Sequence, residues 1–89
     1  MIKQDFTIQN KVGLHARPAA VFVQTANKFK SNIFVEKDGK SVSAKSILGV
    51  LSLGAEKGAQ ILVEIEGEDE QEAMNTISEL IANKFGDEE

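Results

Sequence analysis

Residues 2–29 read IKQDFTIQNKVGLHARPAAVFVQTANKF, and within this stretch the hydrophobic period changes. Ile2, Phe6 and Ile8 fall on alternate positions with Gln4 between them, the two-residue period of a half-buried strand. The run QNKVG breaks that pattern. From Ala16 onward Ala19, Phe22, Val23, Ala26 and Phe29 recur at helical spacing and make one apolar stripe. Pro18 suits a first helical turn, where a missing amide hydrogen costs no intrahelical bond. The stretch therefore predicts a strand, a short connection, and a helix that starts at His15 or Ala16.

Working outward, Ile33, Phe34 and Val35 mark a second strand over Asn32–Glu36. KDGK (Lys37–Lys40) follows, and Asp-Gly between two short strands signals a tight hairpin, because both central residues need positive φ. The returning strand is Lys40–Ser43. Ser46 suits the N-cap of a helix of about two turns that Gly54 ends in the left-handed conformation. This helix carries Ile47, Leu48, Val50, Leu51 and Leu53, too many apolar residues for one narrow stripe, and Leu48 and Leu51 are expected to face water in part. Ile61, Val63 and Ile65 define one face of a fourth strand, with Gln60, Leu62, Glu64 and Glu66 on the other. Asp69 with Glu72 reads as a variant capping box for a last helix along Ala73, Ile77, Leu80, Ile81 and Lys84. Gly86 stops it, and Asp87–Glu89 form a frayed acidic tail.

The order β-α-β-β-α-β-α has a simple solution. The first βαβ unit leaves room for one strand between its two strands, and a right-handed crossover places its helix on one face. The last strand fills the gap. The predicted fold is α+β, an open-faced β-sandwich whose four-stranded antiparallel sheet runs 1-4-2-3 under three helices. Lys3, Asp5, Thr7, Gln60, Glu64 and Glu66 suit its wet face. The 89 residues are expected to form a single domain, 1–89.

Composition narrows the function. A formal net charge of −4 disfavours direct nucleic-acid binding, which requires clustered cations to neutralise phosphates. Lys28, Lys30, Lys37, Lys40 and Lys45 nevertheless sit in the first half, while acidic residues collect after Glu64, an asymmetry that suggests a protein-binding face. The absence of cysteine rules out disulfides and thiolate metal sites. No apolar run approaches the ~20 residues of a membrane span, and the first ten residues lack the apolar region of a secretion signal. A cytoplasmic monomer without metal or cofactor is expected. GAEKGA (Gly54–Ala59) lacks the Lys-Ser/Thr pair of a phosphate-binding P-loop. The acids around Glu68 point in different directions around a helix start and do not make a metal site.

One motif carries chemistry. GLHARPAA (Gly13–Ala20) holds the only histidine of the chain beside a helix start. There the first backbone N–H groups lack intrahelical acceptors and the helix dipole adds partial positive charge, which together favour an anion. A neutral imidazole in that place is a nucleophile, and a phosphoryl group on it would land on waiting donors, the backbone of Ala16 and Arg17. The Arg17 guanidinium can bind phosphate oxygens in two-pronged fashion. As a purely structural residue, His15 would only cap the helix. The sequence shows no second acid–base group near His15, which disfavours a self-sufficient enzyme.

GLHARPAA followed by KSILGVLSLG (Lys45–Gly54) closely resembles the HPr family, the histidine-containing phosphocarriers of the bacterial phosphoenolpyruvate–sugar phosphotransferase system, over essentially the whole chain. The resemblance implies that His15 accepts a phosphoryl group on Nδ1 from phosphorylated enzyme I and passes it to the IIA domains of sugar transporters. Arg17 matches the family's active-site arginine. Ser46 matches a serine phosphorylated by an HPr kinase/phosphorylase in many Firmicutes, where the modified protein acts with a catabolite-control transcription factor. Ile47, Leu48 and Leu51 match the apolar patch on which partners dock. Ala16 stands where some relatives carry Thr, so backbone N–H groups alone must serve the phosphate there. Two other readings fit the same residues: a regulatory binding module acting only through Ser46, and a carrier in a nitrogen-related phosphorelay.

Overall fold

The computed structural model describes residues 1–86, so the expected frayed tail, Asp87–Glu89, lies outside the described residues. Strand β1 (Ile2–Thr7), helix α1 (Ala16–Ala26), strands β2 (Asn32–Lys37) and β3 (Lys40–Ser43), helix α2 (Ile47–Ser52), strand β4 (Gln60–Glu66) and helix α3 (Glu70–Ala82) follow in that order. A single 3₁₀ turn, Lys84–Gly86, comes last. The sheet runs β1-β4-β2-β3 with every neighbour antiparallel, as the pattern predicts. Asp38 and Gly39 take φ values of 51° and 84°, the two positive values that the tight turn between β2 and β3 demands.

Register explains which face is covered. Ile65 lies between Ile2 and Ile33, and Val63 between Gln4 and Val35. Ile33, Val35, Ile61, Val63 and Ile65 are all buried, and each contributes about 1.5–3 kcal/mol by leaving water. Ala19, Phe22 and Ala26 of α1, Val50 of α2, and Ala73, Met74, Ile77 and Ile81 of α3 pack over them. The opposite face carries the exposed residues Lys3, Asp5, Thr7, Gln60 and Glu66, with Glu64 half-buried. Phe34 also lies on that face and is 43% exposed. Among the described residues no helix is long and apolar enough to cross a membrane.

Two local expectations are corrected. Asp69 is the N-cap residue of α3, yet its side chain makes no capping bond. Its carboxylate accepts instead from the backbone N–H groups of Lys30 and Ser31, both at 2.9 Å, and from the Ser31 hydroxyl. The Ser31 hydroxyl, followed by the Lys30 amide, holds the Asp69 carboxyl below the usual carboxylate range. Glu70 reaches back in its place and accepts from the Gly67 N–H at 3.1 Å. The acids near Glu68 thus act at a helix start and as a tie to the loop before β2. The second correction concerns the end of α3. The helix stops at Ala82, before Lys84, because Lys84 and Phe85 take positive φ and turn the Phe85 ring inward. That ring is buried, with its centroid 6.0 Å from that of Phe22.

Candidate functional site

Helix α1 begins at Ala16, which makes His15 its N-cap residue. The His15 carbonyl accepts the first intrahelical bond, from Ala19 N–H at 2.9 Å, while its backbone is extended (φ −76°, ψ −175°). The imidazole makes no capping bond, so it is not there as a structural cap, and His15 is exposed. Pro18, third in the helix and buried, has no N–H to offer. The backbone donors at this helix start are therefore those of Ala16 and Arg17, both exposed residues.

A second loop holds this one in place. Ile8 N–H donates to the Ala59 carbonyl and Gly58 N–H to the Ile8 carbonyl, both at 2.9 Å, and Leu14 N–H donates to the Ala55 carbonyl at 2.8 Å. These bonds continue the β1–β4 pairing beyond the strands and lace residues 8–14 to residues 55–59. Gly13 sits where the loops come nearest. Its φ is +64°, and a Cβ at that position would strike the Ala55 carbonyl oxygen and lie 2.6 Å from Glu56 Cα. Only glycine fits both the backbone angle and the gap. The buried side chain of Asn10 closes the turn, its Nδ2 donating to the Gly13 carbonyl at 2.6 Å.

Two open clefts meet at His15. One, of about 340 Å³, is lined by Leu14, His15, Ala16, Leu51, Gly54, Ala55 and Glu56. The other, of about 440 Å³, is lined by Lys11, Val12, His15, Glu56 and Lys57. A visiting group can therefore approach the ring from two sides. Lys11, Glu56 and Lys57 escape the sequence reading. GAEKGA matters here as a wall of the site and brings Glu56 to both clefts that His15 lines. No local pattern signals this, because the two residues meet on one cleft only through the loop pairing.

The remaining candidates lie on α2. Ser46 is exposed and caps the helix, its Oγ accepting from Gly49 N–H at 3.1 Å. Ile47, Leu48 and Leu51 are 37%, 78% and 36% exposed, while Val50 and Leu53 turn into the core, as the surplus of apolar residues requires. Leu51 links this apolar surface to the His15 cleft; the clefts do not include Ser46, Ile47 or Leu48. Of the lysines in the first half, Lys40 and Lys45 spend their charge partly on carbonyls: Lys40 Nζ donates to Ser52 and Lys45 Nζ to Phe29. The Lys40 bond sits at the C-terminal end of α2, where a cation is favoured, and the Lys45 bond in the turn that follows α1.

Residues 2–83 match a family model described as the PTS HPr component phosphorylation site. The chain is 48% identical to the phosphocarrier protein HPr of Xylella fastidiosa, over 99% of each chain. A crystal structure of HPr from Thermoanaerobacter tengcongensis covers all of both chains at 54% identity, with a TM-score of 0.96. The HPr-like protein Crh of Bacillus subtilis is 50% identical over 88% of this chain and 92% of its own. A crystal structure of Crh, solved as a domain-swapped dimer, covers 94% of this chain and 97% of its own with a TM-score of 0.75. An exposed imidazole at a helix start, on this sheet order and with this match along nearly its full length, leaves one conclusion: the chain belongs to the HPr family of phosphotransferase-system phosphocarriers.

Proposed function

We propose that His15 takes a phosphoryl group on Nδ1 from phosphorylated enzyme I and hands it to IIA domains of sugar transporters, the whole chain acting as one cytoplasmic domain and as a monomer. The supporting observation is the exposed His15 ring, relieved of any capping duty and reached from two clefts. On charging, His15 Nδ1 attacks phosphorus in line with the departing donor, and the bond from phosphorus to that donor breaks as the new P–N bond forms. On discharge a nucleophile of the acceptor attacks and His15 Nδ1 is the group that departs. Such a reaction needs mainly positioning and charge stabilisation. The amides of Ala16 and Arg17 supply donors, and the Arg17 guanidinium neutralises the equatorial oxygens. Ile47, Leu48 and Leu51 form the docking surface, continuous with the site through Leu51.

Ser46 carries the regulatory part of the proposal. Phosphorylation there by an HPr kinase/phosphorylase adds about −1.5 to −2 charge at a helix start, which tolerates it, in the midst of the docking surface, which does not. The modified chain then serves a catabolite-control transcription factor. Similarity to Crh, whose structure is described as that of a catabolite repression protein, favours a second reading in which Ser46 alone is used. Incubation with labelled phosphoenolpyruvate and enzyme I separates the two. The carrier reading expects acid-labile, base-stable label on the parent chain and none on His15→Ala. Equal labelling of both proteins overturns the site assignment, and no label on either supports the regulatory module.

A further inference from the structure

We propose that Glu56 sets how firmly His15 retains its phosphoryl group, an inference that rests on the carrier reading. His15 and Glu56 are the two residues common to both clefts. The backbone enforces the pairing through the Leu14–Ala55 hydrogen bond and the close approach of residue 13 to Glu56 Cα. Lys11 and Lys57 line the second cleft with them, and all three charged side chains are exposed. In the unmodified protein Glu56 is the anion among these cations. A phosphoryl group on His15 brings further negative charge into the same space. It meets Glu56 as a like charge and competes with it for Lys11 and Lys57. Transfer itself asks for cations and N–H donors, so a carboxylate here raises the free energy of the charged carrier and eases discharge.

Hydrolysis of the phosphohistidine reads this effect without any partner protein. Water adds to phosphorus, the P–Nδ1 bond breaks, one water proton goes to the ring nitrogen, and inorganic phosphate leaves. The protein is charged with phosphoramidate: Nδ1 attacks phosphorus, the bond to ammonia breaks, and ammonia carries away the ring proton. After removal of the reagent, phosphohistidine is followed by phosphorus NMR. Glu56→Gln should lengthen the lifetime by about 1.5- to 5-fold, the range expected for exposed charges. High salt should shrink that difference, and Lys57→Gln should shorten the lifetime. An unchanged urea midpoint shows that Glu56→Gln leaves the fold intact. Equal lifetimes for Glu56→Gln and the parent overturn the proposal. Failure of phosphoramidate to modify His15 in the parent chain would instead refute the carrier reading.

Discussion

Replacing Gly13 with alanine tests the claim that two loops build the site. The cost has two parts. A non-glycine residue held at a φ of +64° gives up about 1–2 kcal/mol. The added Cβ must also push against backbone, with Glu56 Cα at 2.6 Å and Glu56 C at 3.1 Å, and neither can swing aside as a side chain would. Overpacking of this kind costs about 1–3 kcal/mol, for a total of about 2–5 kcal/mol. Gly54 is the control, because its φ is +61° but a Cβ there meets nothing within 4 Å. Gly54→Ala should therefore show the conformational cost alone. Urea unfolding of both variants measures the difference, expected at about 1–3 kcal/mol with similar m values. Gly13→Ala should also slow phosphorylation of the chain that still folds, since the displaced loop carries His15. If the two variants are equally stable, the close approach of the loops is not a constraint and the proposed construction of the site fails.

Two further outcomes follow from the described contacts. Because hydrogen bonds depress the folded pKa of Asp69, its stabilising effect is complete above the unfolded carboxylate value of about 3.9 and is lost as pH falls through the lower folded value. Urea midpoints measured downward from pH 5 should therefore fall more steeply for the parent than for Asp69→Asn, and parallel pH profiles would remove Asp69 from the account. Leu48, 78% exposed, should tolerate Leu48→Ala within about 0.5 kcal/mol of stability, whereas calorimetric titration with enzyme I should lose about 1 kcal/mol or more of binding. Unaltered binding would take Leu48 off the docking surface.

What could be read from the chain and what could not divide along contact distance. The Asp38–Gly39 turn, the Ser46 cap and the alternation of Ile61, Val63 and Ile65 are written in neighbouring residues, and the element order they define, with the right-handed crossover, gives the strand order. The start of α1 is equally local, since Pro18 and the apolar stripe bracket it. Asp69 misleads because its spacing to Glu72 fits a capping box, while its real donors, Lys30 and Ser31, belong to another part of the chain. The end of α3 misleads in the same way: Phe85 leaves the helical path to reach Phe22. Around the candidate site His15, Arg17 and Ser46 stand out by motif. Glu56 and Lys57 do not, because only the lacing of two distant loops brings them to the clefts beside His15, and Lys11 lies on the His15 loop but outside the motif.

That lacing makes the setting of His15 depend on a part of the chain synthesised long after it. The histidine leaves the ribosome early, but the carbonyls of Ala55 and Ala59 that steady its loop come only with the second half of the polypeptide. A nascent or cleaved fragment ending before Gly54 holds the His15 ring without the wall that shapes its surroundings.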